Sequence, residues 1–319
     1  MGSFWFGDAT RPIWQPNLEV CMEHLLGIDL GGSSVKALAV SPEGEQMLVR
    51  QVGFDSDQPL EWAQHVRSLV PEIESKLGGQ AASIGLSAPG LAAADARSIR
   101  HMPGRLQGLE DFDWTEYLGR KRLIPVMNDA HAALAGESWV GAVRNIRNVV
   151  FVTLGTGVGG AVMVDGNILR GAIGRAGHVG HICLDPMGEP DICRTPGSLE
   201  LAIGNCTIER RTQGKYSATH ELVGAVRNGD REAAEIWRDS VRNLACGLTS
   251  LTNVLDPEVI IIGGGIAQAG DVLFEPLQEF MDAMEWVVSG YRVRIEPAQL
   301  GEMAGAYGAA ITGFRRNGV

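Results

Sequence analysis

The chain has 319 residues, of which 45% are hydrophobic and 20% charged, enough apolar matter for two ordinary domains or one large α/β domain. A formal charge of −11 argues against a nucleic-acid partner, which Lys and Arg would have to hold, although backbone amides and a metal can still bind a nucleotide in an acidic protein. Five irregularly spaced cysteines fit a reducing, cytoplasmic compartment better than a disulfide framework, and the longest uncharged run, residues 148–164, is broken by four glycines and does not read as a membrane span.

Residues 1–21 lack a basic stretch followed by an apolar one, so they read as an irregular extension and not as a secretory leader. The first clear element is "HLLGIDLGGSSVKALAV" (24–40), two apolar runs about a Gly-Gly turn, which predicts a hairpin; "EQMLVRQV" supplies a third strand. Val66, Leu69, Val70, Ile73 and Leu77 make a helical stripe over 58–77. "SIGLSAPGL" is a strand entering a Pro-Gly turn, and "LIPVMNDAHAALAGES" is a short strand that opens into a helix after Asn128.

The strand–glycine–strand unit then returns at 149–166 as "VVFVTLGTGVGGAVMVDG", about 125 residues after the first. A long helix carrying Trp237, Val241, Leu244, Leu248, Leu251 and Leu255 leads to "EVIIIGGGIAQAG", and a small-residue helix runs from Met303 to Arg315. Such a repeat predicts a duplicated α/β fold with a cleft between its halves: a smaller domain of residues 22–125, a larger one of 126–302, and residues 303–319 returning to the first.

Glycine lets a backbone approach a ligand closely, so its N–H groups can face phosphate oxygens. "DLGGSS" offers Gly31, Gly32, Ser33 and Ser34 beside Asp29, which suits a hydrated Mg²⁺; "LGTGVGG" offers Gly155, Thr156 and Gly157. Each alone reads equally as an ordinary tight hairpin. "GTGVGG" also matches the dinucleotide pattern, but a strand follows it where a helix should open. Gly263, Gly264 and Gly265 end a buried strand and suit a flat ring lying against bare backbone. Asn128 and Asp129 before a helix read, by themselves, as an N-cap.

Taken together, "GIDLGGSSVKALAV", "GLSAPG", "NDAHAALAGE", "TLGTGVGGAV", "GRAGHVGH" and "LDPEVIIIGGG" are similar in order and spacing to the ROK-family sugar kinases of the actin/Hsp70-like ATPase superfamily, over residues 24 to about 315. The resemblance implies a duplicated actin-like (ribonuclease H-like) fold, Mg²⁺ and ATP bound between two domains with Lys36 among the nucleotide residues, and a sugar or cyclitol hydroxyl phosphorylated in the cleft. It makes Asp129 the general base and Asn128, Gly90, His181 and Glu200 sugar ligands, commonly in a homodimer. Polyphosphate is an alternative donor. Regulatory relatives carry an N-terminal helix-turn-helix, for which a 21-residue extension is too short; a non-catalytic sugar-binding protein is the rival reading.

The chain departs from the family between residues 174 and 200. His178 stands where the family has a sugar-binding Glu, and Asp191, Cys193 and Ser198 stand at three zinc-ligand cysteine positions. One His, one Cys, one Asp and one Ser make a poor cage for structural zinc, which prefers thiolate and imidazole. If residues 181–183 are a strand, Cys183 joins His181, Asp191 and Cys193 as an unorthodox quartet. Arg105 falls near a family sugar-binding Asn, or is a solvated loop cation; His101 and His131 read as a loop and a helix-face residue. Exchanging a carboxylate for imidazole at 178 changes which hydroxyl pattern is accepted.

Overall fold

The computed structural model describes residues 23–317 except Arg105; the extension 1–21 and Arg105, to which roles were ascribed above, lie outside the described residues. Strands β1 (Leu25–Leu30), β2 (Ser34–Val40) and β3 (Gln46–Gly53) form a meander, followed by helix α1 (Glu61–Lys76) and strand β4 (Ser83–Ala88). A short ribbon of β5 (Leu91–Ala92) and β6 (Ile99–His101), helix α2 (Trp114–Tyr117), strand β7 (Val126–Asn128) and helix α3 (Asp129–Trp139) complete the first half. The second half begins with β8 (Val149–Leu154), β9 (Val158–Val164) and β10 (Asn167–Ile168). Helices α4 (Leu199–Ile203), α5 (Ile208–Arg211), α6 (Thr219–Arg227) and α7 (Arg231–Leu255) precede β11 (Val259–Gly263), α8 (Asp271–Met284), β12 (Arg294–Pro297) and α9 (Ala304–Arg316).

The two halves repeat one topology. The sheet orders are β3-β2-β1-β4-β7 and β10-β9-β8-β11-β12. In each, the opening strand runs antiparallel to the second and parallel to the strand that follows the crossover, β1 with β4 and β8 with β11. Parallel strands covered on both faces must be apolar throughout, and β11 is buried along its whole length. Helix α7 buries Trp237, Val241, Leu244, Leu248 and Leu251 against the second core, with Asp230 capping its first turn at Ala233 N (3.1 Å).

Helix α9, the last in sequence, lies on the first sheet and on α3. Gly27 of β1 and Gly85 of β4 face the carbonyls of Ala306 and Ala309, and Gly308 faces the carbonyl of Ala132, with no room for a Cβ at any of the three. Small residues there let backbones pack directly, which pins the start of α3, and thus the β7–α3 junction, to the first sheet. Among the described residues no helix is long and apolar enough to cross a membrane.

Candidate active site

The β7–α3 junction divides the labour between two neighbouring side chains. Asn128 is extended (φ −63°, ψ 146°), and its Oδ1 accepts from the N–H groups of Ala130 (3.0 Å) and His131 (3.2 Å), so Asn128 is the helix cap. Its Nδ2 donates to the carbonyl of Gly90 (3.0 Å) and to Asp129 Oδ1 (2.8 Å). Gly90 must be glycine: its φ is +100°, and a Cβ there would sit 2.6 Å from the carbonyl of His101. Asp129, relieved of capping, is exposed, and its Oδ1 accepts from the amide of Ala130 (2.8 Å). Desolvation at the foot of the cleft raises its pKa, against the opposing effect of these hydrogen bonds and of His178.

Asp29 shares that electrostatic environment. Register places it opposite Lys36 on β2 and Ser87 on β4. Ser87 Oγ donates to Asp29 Oδ1 (2.8 Å). Burial raises the Asp29 pKa to about 6; Ser87 and Lys36 oppose this, and the Asp129 charge adds to it. Lys36 is itself paired with Glu302 (2.9 Å) just before α9. Sequence reasoning passed over Ser87, although it lies in the quoted "GLSAPG"; its role appears only once β1 and β4 are set in register.

Both glycine turns are hairpins with open tips. Gly31 N–H closes the first on the Ser34 carbonyl (2.9 Å), leaving Gly32 and Ser33 exposed; Gly155 N–H closes the second on Gly157 (2.9 Å), leaving Thr156 exposed. A Cβ at Gly32, Gly155 or Gly265 would meet nothing within 4 Å. Gly264 has φ +87° and packs against the backbone of Leu154, so the Gly263–Gly265 strand end lies beside the second hairpin. An open cavity of about 740 Å³ adjoins Gly32 and reaches Met102, Gly104 and Glu110. An ionisable carboxylate, exposed amide turns and a bare glycine shelf form a donor set that fits a Mg²⁺-bearing nucleotide.

The stretch from 174 to 200 differs from the strand expected around 181. Gly177 takes φ +88°, and residues Val179–His181 form a 3₁₀ turn, so His181 and Cys183 do not alternate along one strand face. His181, Asp191 and Cys193 do converge, with ligand atoms within 4.8 Å of one another; Cys183 stands outside that group, in a bridge with Ser198. The proposed quartet is therefore a trio.

His181 Nδ1 lies 2.7 Å from Asp191 Oδ2 and Nε2 lies 3.4 Å from Cys193 Sγ, which engages both ring nitrogens. Asp191 Oδ1 accepts from the amides of Cys193 (2.8 Å) and Thr195 (2.9 Å). Burial, Asp191 and Glu200 hold the Cys193 thiol above its ordinary pKa. One thiol, one imidazole and one carboxylate, already bonded to one another, do not fit a closed four-ligand zinc site.

His178 is half-buried and stacks edge-on to His131 (6.3 Å between centroids), with Nδ1 buried. Burial and His181 lower its pKa, against the raising effect of Asp129 and of backbone hydrogen bonds at Arg175 and Ala176, which favours the neutral ring. His131 is buried, its Nε2 donating to the carbonyl of Ala176 (2.8 Å), which ties α3 to this loop. Glu200, in the first turn of α4, accepts from Val158 N–H (2.9 Å) and fills the space where Gly157 lacks a side chain, linking the second hairpin to the 174–200 stretch. That link gave no local signal, since its partners are 42 residues apart.

The chain is similar to known sugar kinases over nearly its whole length. The chain is 32% identical to a glucokinase of Halalkalibacterium halodurans, over 89% of this chain and 92% of that protein. It is 28% identical to an N-acetylmannosamine kinase of Escherichia fergusonii, over 90% and 97% respectively. The crystal structure of a ROK hexokinase from Thermus thermophilus superposes with a TM-score of 0.78 at 28% identity, covering 92% of this chain and 98% of that one. The ROK family model matches residues 25–313, and the chain belongs to the ROK family as an ATP-dependent carbohydrate kinase with the duplicated actin-like fold.

Proposed function

We propose that the chain transfers the γ-phosphoryl group of Mg·ATP to a hydroxyl of a hexose, amino sugar or cyclitol, with Asp129 as general base. One observation carries this reading: Asn128 takes the helix cap and leaves the exposed Asp129 carboxylate free of it, within electrostatic reach of Asp29. The acceptor hydroxyl gives its proton to Asp129 as its oxygen attacks the γ-phosphorus; the new O–P bond forms as the bond to the β–γ bridging oxygen breaks, and ADP leaves. Bound Mg²⁺ supplies charge neutralisation at the phosphates. The chain's own part there is the Asp29 carboxylate, held by Ser87, with the amides of the Gly31–Ser34 and Gly155–Gly157 turns facing the phosphates.

His178, Asn128, His181, Glu200 and Gly90 form the acceptor side. With Nδ1 buried, an imidazole at 178 has a single ring nitrogen left for the sugar, so the preferred hydroxyl pattern differs from that selected by a two-oxygen carboxylate. Asp191 takes over the orienting of His181, and the stretch holds its shape without structural zinc. The two halves are the domains that close on the substrates; β7 pairs with β4 and α3 packs on α9, so both belong with the first half and not, as a boundary at 126 implies, with the second.

The test is ADP release with Mg·ATP against a panel of hexoses, N-acetyl amino sugars and cyclitols, beside Asp129→Asn. Turnover on a panel member, lost in a variant that still binds a non-hydrolysable ATP analogue, supports the reading. Turnover retained in Asp129→Asn refutes the base assignment. ATP analogue binding with no acceptor turned over would favour a sugar-sensing protein.

A further inference from the structure

A second recess, which the Asp129 carboxylate does not line, holds a single guanidinium. A cavity of about 150 Å³ lies between Ala92 of β5, Met127 and Asn128 of β7, His131 of α3, and the segment from Arg170 to Gly174 that follows β10; neither Asp129 nor Gly90 lines it. The Arg170 guanidinium is half-buried, and among the described residues it makes no ion pair, hydrogen bond or aromatic contact. Its nearest charged influence is another cation, Arg316 at the end of α9, whose own Nη1 donates to the carbonyl of Asp95 (3.2 Å). Burial and Arg316 both depress the Arg170 pKa.

A half-buried guanidinium is normally paired, because desolvating a lone cation is costly. In a chain with a net charge of −11, acids were available to pair it, and none of the described ones does. The adjoining backbone has the same polarity. The amides of Gly171, Ala172, Ile173 and Gly174 enter no backbone hydrogen bond among the described residues, and Gly171 and Gly174 take positive φ (70° and 88°).

We propose that this cavity is a binding site for a small oxyanion, a phosphate or a short carboxylate, held by Arg170 and the amides of residues 171–174. Guanidinium meets either anion through paired N–H···O bonds. A volume near 150 Å³ holds a guest about the size of benzene, which admits inorganic phosphate or a three-carbon acid and excludes a nucleotide. Ala92 belongs to the first half and Arg170 to the second, so the occupant bridges the halves behind the cleft, and Asn128 is common to both sites. The proposal does not depend on the identity of the sugar.

The experiment titrates inorganic phosphate, and pyruvate in a separate arm, into the full chain by calorimetry at constant ionic strength. The magnesium complex of a non-hydrolysable ATP analogue is kept saturating so that the hairpins are occupied. One saturable site per chain is expected in at least one arm, weakened about tenfold or more in Arg170→Gln. Ala92→Leu, which fills the cavity without altering charge, is expected to abolish binding while analogue binding persists. Saturation in only the phosphate arm or only the pyruvate arm identifies which oxyanion the site takes. Absence of saturation in both arms, or equal affinity in wild type and both variants, overturns the proposal. A kinase assay with no active acceptor would leave this result standing.

Discussion

Asp29 offers a test in which the same residue moves activity and stability in opposite directions. Its carboxyl titrates at about 6 because burial outweighs the hydrogen bond from Ser87 and the field of Lys36. The ionised form is the one that can serve Mg·ATP, so kcat/KM, which reports the free enzyme, should fall as pH drops through about 6. Folding responds with the opposite sign. The folded pKa is raised above the ordinary value of 3.8, so the folded state binds the extra proton between about 6 and 3.8. The contribution of this group to apo stability therefore rises as pH falls through that window.

Ser87→Ala removes the one side-chain hydrogen-bond donor that Asp29 has among the described residues. A hydrogen bond to a charged group is worth about 1.5–3 kcal/mol, which at roughly 1.4 kcal/mol per pH unit corresponds to an upward move of one to two units. Water can replace part of the lost hydroxyl in a half-buried cluster, which favours the lower end, about one unit. The Asp129 charge adds to the rise at Asp29, so the acid limb can carry both groups, and its displacement by Ser87→Ala assigns the Asp29 share. Initial rates of ADP release from pH 5.5 to 8.5 measure it. A limb that stays in place, or moves to lower pH, would show that Ser87 does not hold the ionised form and would sink the argument.

His178→Glu should change the ratio of kcat/KM between acceptors that differ at one hydroxyl by about tenfold or more; an equal loss on every acceptor would assign His178 to packing alone. Asp191→Ala deletes contacts to His181, Cys193 N–H and Thr195 N–H and should cost about 2–4 kcal/mol, read from chemical denaturation. Chelator should leave the wild-type midpoint unchanged and elemental analysis should find no stoichiometric zinc; a chelator-sensitive midpoint would contradict the metal-free reading. Gly308→Val sets a branched side chain against the carbonyl of Ala132 and should cost about 3 kcal/mol or more by forcing α9 off α3. A soluble variant with wild-type thermal unfolding would disprove that the contact is tight.

What could be read from the sequence follows from how local each feature is. The β1–β2 and β8–β9 hairpins announce themselves because an apolar run, glycines and a second run are all contained within about twenty residues, and their recurrence is enough to give a duplicated fold. By itself the Asn128–Asp129 pair was legible as a cap, and Asn128 is that cap, which leaves Asp129 exposed beside it. The charge state of the site was not legible. Asp29 owes its environment to Ser87, 58 positions away, and Lys36 owes its position to Glu302, 266 positions away. Period-two patterning says which face a strand residue takes, not which residue of a parallel neighbour it meets.

The error at 181–183 has a related cause. Alternation was assumed through a segment where Gly177 turns the chain by positive φ and Val179–His181 wind into a 3₁₀ turn, a local geometry that spares the backbone but scrambles side-chain direction. Once that turn sets His181, its partners must come from the loop beyond, and Asp191 reaches it because its other oxygen is already fixed by the Cys193 and Thr195 amides. A carboxylate anchored in this way constrains the imidazole through one short contact, as a ligand on a metal would. Loss of cysteines along the sequence therefore need not mean loss of order in the pocket. The residues to compare across relatives are Asp191 and His178 together, because one orients the ring at 181 and the other acts on the Asp129 carboxylate.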